Sequence, residues 1–93
     1  MRYRDLSSYR GSLGSIGDAG RLDAIHGAVA SLIASFQRRA VPPAGLGLKQ
    51  ARAPLWELRA SGEDRIVFSW RGDVVTFLVA GTREDVRRLR RIE

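Results

Sequence analysis

The sequence predicts an α+β fold, with an N-terminal helical hairpin packed on a small antiparallel sheet of three to four strands and a short C-terminal helix. Three patterns carry that expectation. Apolar residues recur every three or four positions as far as Phe36, alternate with polar ones through 55–80, and return to helical spacing after Thr82.

In the first segment Tyr3, Leu6, Tyr9, Leu13 and Ile16 follow a roughly helical spacing, loosened by Gly11, Gly14 and Gly17. A short helix with a frayed end is expected there, with a short edge strand as the alternative for Met1 to Asp5. From Asp18 the pattern strengthens, because Leu22, Ile25, Val29, Leu32, Ile33 and Phe36 form one stripe of an amphipathic helix. Asp18 suits its N-terminus, and Arg38 and Arg39 suit its C-terminal end. His26 lies beside the stripe and reads as structural. Residues 40–47, AVPPAGLG, break the helix, since two prolines cannot continue it and the glycines supply turn freedom.

Residues 55–60, 64–70 and 74–80 read as a three-stranded meander, with Gly72-Asp73 as a two-residue hairpin turn. That turn sets Phe68 opposite Phe77, Trp70 opposite Val75 and Ile66 opposite Val79. Alternation gives a continuous apolar face to be covered by the helix over 18–39, with Trp56 and Trp70 on the covered side. Glu57, Arg59 and Arg65 fall on the other face, and Arg59 beside Arg65 places two like charges side by side. An anion between them removes the penalty, supplied either by Glu57 in an ion cluster or by a bound phosphate. Finally, Thr82 with Asp85 is a capping pair for a helix in which Val86, Leu89 and Ile92 share a face, the rest being largely arginine.

A chain of 93 residues can bury one modest core, so a single domain over 1–93 is expected. There is no cysteine and one histidine, which removes disulfides, thiolate metal sites and thiol nucleophiles from consideration and argues against a metal centre. No cofactor is implied. Without a long apolar run, a soluble cytoplasmic protein with no membrane partner is expected. Sixteen basic residues against ten acidic ones give a net charge of +6, and Lys49 is the one lysine. Arginine-rich small domains lean toward nucleic acid or an acidic protein, because the guanidinium fork matches phosphate and carboxylate. A GC-rich coding sequence produces the same bias, so the placement of the arginines has to decide.

The order of two helices, a loop, LWELR, a hairpin, DRIVF, an apolar strand and GTRED opening a basic helix resembles the RelE/ParE toxins of type II toxin-antitoxin systems. The resemblance runs over roughly residues 5–92 and is most specific over 46–85. It implies a helical hairpin on one face of a sheet whose other face is concave and basic. It also implies an activity, metal-independent cleavage of ribosome-bound messenger RNA by attack of a ribose 2′-hydroxyl on the adjacent phosphate. The family's arginine in Y-R-L-V-Y corresponds to Arg65, that in G-K-R-E to Arg83, and a basic residue on the preceding strand to Arg59. Glu57 stands where the family has a lysine, and Leu89 where a tyrosine assists proton transfer. Arginine cannot act as a general base near neutral pH, which leaves Glu57 as the candidate base on that face. Lys49, Arg52 and Arg87 are the candidate RNA-phosphate contacts. The alternatives are a ParE-like inhibitor of DNA gyrase and a catalytically silent homologue that only binds its antitoxin. All three imply an acidic antitoxin partner, and the first adds the ribosome and its message.

Overall fold

In the computed structural model, residues 1–38, 48–52 and 54–92 are described. The chain runs β1 (Arg2–Asp5), α1 (Ser7–Ser15), α2 (Ala19–Gln37), β2 (Leu48–Arg52), β3 (Leu55–Arg59), β4 (Arg65–Arg71), β5 (Val74–Gly81) and α3 (Arg83–Ile92). The expected 40–47 loop lies outside the described residues, as does Arg39. So do the side chains of Leu89 and Ile92.

The α+β class holds, but the sheet is larger than expected and it is mixed. Its five strands are ordered β1-β5-β4-β3-β2, with β1 parallel to β5 and the other neighbours antiparallel. The N-terminal edge strand is therefore present, and α1 starts only at Ser7. The 48–52 segment, which precedes the three-stranded meander, is itself a strand, pairing Lys49 with Glu57.

One face of this sheet carries the main core. Tyr9 and Ile16 from the α1 region, Ile25, Leu32 and Phe36 from α2, and Leu58, Ile66, Phe68, Val75 and Phe77 from the strands are buried together. Truncating a fully buried member such as Leu32 to alanine costs about 2–5 kcal/mol. Trp56 and Trp70 lie half-buried on this covered side, Trp70 meeting Phe36 edge-on at 4.8 Å between ring centroids.

The Gly72-Asp73 turn forms as expected, with Arg71 paired to Val74, Trp70 to Val75 and Phe68 to Phe77. Gly72 sits at φ 57°, which a two-residue hairpin of this hand requires. Beyond Phe77 the register departs from simple alternation, and Ile66 faces Ala80 rather than Val79. Leu78 is the extra residue of a β-bulge, so Val79 turns to the opposite face and meets Val67 and Val86 in a small second core beneath α3.

The bulge also lies where β5 loses its neighbour, because β1 ends at Asp5 and its last backbone contact is Leu6 N–H to the Phe77 carbonyl at 3.1 Å. Two serines one helical turn apart on α1 take over. Ser8 Oγ donates to the Leu78 carbonyl at 2.6 Å, and Ser12 Oγ accepts from the Ala80 N–H at 3.0 Å.

Candidate phosphate-binding site

Each arginine of the site is placed by a different piece of local chemistry. Arg59 ends β3 and Arg65 begins β4, and the hairpin between them closes through Ala60 N–H to the Asp64 carbonyl at 2.9 Å, with Gly62 at φ 65°. The two arginines are direct partners in the ladder. Arg83 opens α3, and the direction of that helix is fixed by a reciprocal cap. The Thr82 N–H and hydroxyl both donate to Asp85 Oδ2, at 3.0 and 3.1 Å, while Asp85 N–H points back to Thr82 Oγ1 at 3.4 Å. Asp85 packs so closely on Gly81 that a Cβ there would meet its Oδ2 at 2.5 Å.

These elements bring Arg59, Arg65 and Arg83 to the rim of one depression of about 320 Å³, together with Leu48, Lys49 and Glu57. Strands β2, β3 and β4 supply the floor and α3 one wall. Arg52 is exposed at the far end of β2 and does not line the depression, so that expected contact is not part of the cluster. Arg87 lines a neighbouring depression of about 440 Å³ that shares Arg65 and Arg83 and adds Glu63, Thr82 and Glu84.

Within the cluster Arg65 is the most enclosed cation. Its Nη1 lies 3.6 Å from Glu57 Oε2, the two side chains retaining 16% and 19% of their exposure. Its Nε is buried without a hydrogen-bond partner among the described residues. Arg59, Arg83 and Lys49 are exposed. The arrangement therefore concentrates positive charge over a shallow floor with one carboxylate inside it. Such a site suits a phosphodiester, whose oxygens accept from several guanidinium groups at once. Among the described residues no group of three or more His, Asp or Glu side chains could hold a metal ion.

Glu63 and Glu84, each next to or near a site arginine in sequence, were not signalled by strand alternation because one lies in a turn and the other in a first helical turn. A second unforeseen feature lies beneath the hairpin. Asp64 is buried and held by Arg21 of α2 through two parallel hydrogen bonds.

No protein-family model and no curated protein sequence matches the chain. Two solved structures share its architecture. YafQ from E. coli strain BL21(DE3) superposes with a TM-score of 0.68 at 10% identity, covering 92% of this chain and 98% of its own. A copper-bound mutant toxin from Helicobacter pylori superposes with a TM-score of 0.65 at 11% identity, over the same shares of both chains. The chain shares the fold of these two proteins. In this fold the basic depression lies on the sheet face opposite α1 and α2, with Arg83 of α3 at its rim. No described helix is long and apolar enough to cross a membrane.

Proposed function

We propose that this chain is the toxin of a type II toxin-antitoxin pair and that it cleaves messenger RNA on the ribosome. The observation that carries this reading is the meeting of Arg59, Arg65 and Arg83, from three elements, around one depression that also holds a carboxylate. Arg65 and Arg83 grip the non-bridging oxygens of the scissile phosphate, and Arg59 adds charge from the rim. Glu57 takes the proton of the ribose 2′-hydroxyl as its oxygen attacks phosphorus. The bond from phosphorus to the 5′-oxygen breaks, that oxygen takes a proton from solvent, and a 2′,3′-cyclic phosphate remains.

The guanidinium groups stabilise the extra negative charge of the pentacoordinate state, a contribution that survives weak acid-base assistance. Lys49 and Arg87 extend the positive surface on either side and hold flanking phosphates or ribosomal RNA without reading sequence. An acidic antitoxin segment folds over the same charge and blocks it.

Induced expression followed by pulse labelling tests this reading. Protein synthesis should stop first, with messages cut inside codons. Arrest of DNA synthesis before translation would instead point to gyrase, and unimpaired growth to a protein that only binds its antitoxin.

A further inference from the structure

The end of the sheet that carries Arg59 and Arg65 has little apolar anchorage. Among the described residues β2 pairs with β3 only as far as Leu58, and β5 ends at Gly81, which faces Arg65 without a side chain. Between Leu58 and Ile66 the one buried residue is a carboxylate, Asp64. Arg59 and Arg65 oppose each other in the ladder, so like-charge repulsion works to splay this hairpin. The hold comes from the other side of the sheet. Asp64 closes the turn by accepting from Ala60 N–H, and its carboxylate turns to α2, where Arg21 grips both oxygens. Arg21 is fixed in its turn, since its backbone N–H donates to Asp18 Oδ1 at 3.0 Å at the start of α2. It also lines a cavity of about 290 Å³ together with Asp85, the residue that caps α3 and so aims Arg83. One cation thus stands beside the carboxylates that fix both arginine-bearing elements.

An apolar pair would serve stability as well, because desolvating a buried carboxylate offsets most of what its pairing gains. What the two-pronged contact adds is direction, as it fixes two atoms of each partner at once. Successive residues of an extended chain point to opposite faces, so holding Asp64 toward α2 turns Arg65 into the depression on the far side. We infer that Arg21, which does not line the depression, is a positioning residue for RNA cleavage: through Asp64 it sets the height and direction at which Arg65 meets the scissile phosphate. The inference rests on the RNA-cleaving reading of that depression.

The test compares the wild type with two variants that separate direction from stability. The double variant Arg21→Met/Asp64→Leu replaces the ion pair by apolar contact, and Arg21→Lys keeps the charge but not the planar fork. Melting temperature, affinity for a short RNA with a 2′-O-methyl ribose at the scissile step, and single-turnover cleavage of ribosome-bound message are measured for all three proteins. The double variant should melt near the wild type and bind the RNA nearly as well, yet cleave about 10²-fold more slowly, the cost of a misplacement of about 1 Å. Arg21→Lys should fall between the two. The buried Arg65 Nε–H supplies a readout that needs no cleavage, since its nitrogen-15 resonance should exchange with solvent faster in the double variant and in Arg21→Lys. Cleavage at the wild-type rate by a folded double variant or by Arg21→Lys overturns the inference, as does a loss of RNA affinity as large as the loss of cleavage. Absence of cleavage by the wild type would sink the nuclease reading instead. The Arg65 resonance would then decide alone, and unchanged exchange in both variants would show that Arg21 does not position Arg65.

Discussion

Arg21 in the first turn of α2 holds Asp64, the residue before β4, through a two-pronged contact, Nε to Oδ2 at 2.8 Å and Nη2 to Oδ1 at 2.7 Å. The pair ties the β3–β4 hairpin, which carries Arg59 and Arg65, to the helical layer behind it. Asp64 is 4% exposed and its carboxyl is held below the usual carboxylate range, first by the hydrogen bonds from Arg21. Asp64→Asn should keep the shape and weaken the grip. We expect the melting temperature to fall by roughly 4–8 °C, the shift that about 1 kcal/mol produces in a domain of this size.

The same pair sets a pH dependence. A carboxyl whose folded value lies below its unfolded one stabilises the fold fully above the unfolded value, near 3.8, and loses that contribution as pH falls through the lower folded value. Denaturant titrations of the wild type and Asp64→Asn should therefore differ most at neutral pH and converge in acid. A difference that grew as the pH fell below 4 would contradict this assignment.

Ser12→Ala should leave the Ala80 N–H without its acceptor at the bulge, at a cost of about 1–3 kcal/mol. Amide exchange checks it locally, since the Ala80 N–H should lose protection while those of Phe68 and Phe77, deep in the core, keep it.

Gly81→Ala should be more disruptive than its size suggests. Gly81 adopts φ 149°, and the added methyl would run into the Asp85 carboxylate that caps α3. We expect a loss of about 1–3 kcal/mol and a displaced Arg83, seen as weaker RNA binding alongside a lower melting temperature.

How much of this was legible in the sequence depends on how each element is held. The pairs Phe68–Phe77 and Trp70–Val75 follow from a glycine-containing two-residue turn, a local signal. The bulge at Leu78 was not legible, because the run VVTFLVA is apolar on both faces and does not show where alternation breaks. The edge strands RYRD and LKQAR are short and mostly polar, and their pairing is fixed by neighbours distant in sequence. At the site, alternation alone put Glu57, Arg59 and Arg65 on one face. Arg83 joined them only through resemblance, since its position depends on how the Thr82–Asp85 cap aims α3. Arg21 gave no hint of its role because its partner lies 43 residues away.

Glu57→Gln separates catalysis from binding. The variant should still bind RNA, while single-turnover cleavage falls about 10²–10⁴-fold. Undiminished cleavage would remove Glu57 from the proton-transfer role and leave it as the orienting partner of Arg65.

The most direct measurement of the central claim is cleavage of a ribosome-programmed message by the wild type beside Arg65→Ala and Arg83→Ala, each first shown to be folded. Convergence of these side chains on one phosphate predicts that either substitution reduces cleavage about 10²–10³-fold, as loss of a charge-stabilising donor does elsewhere. Equal cleavage by all three proteins would show that the phosphate is held somewhere else.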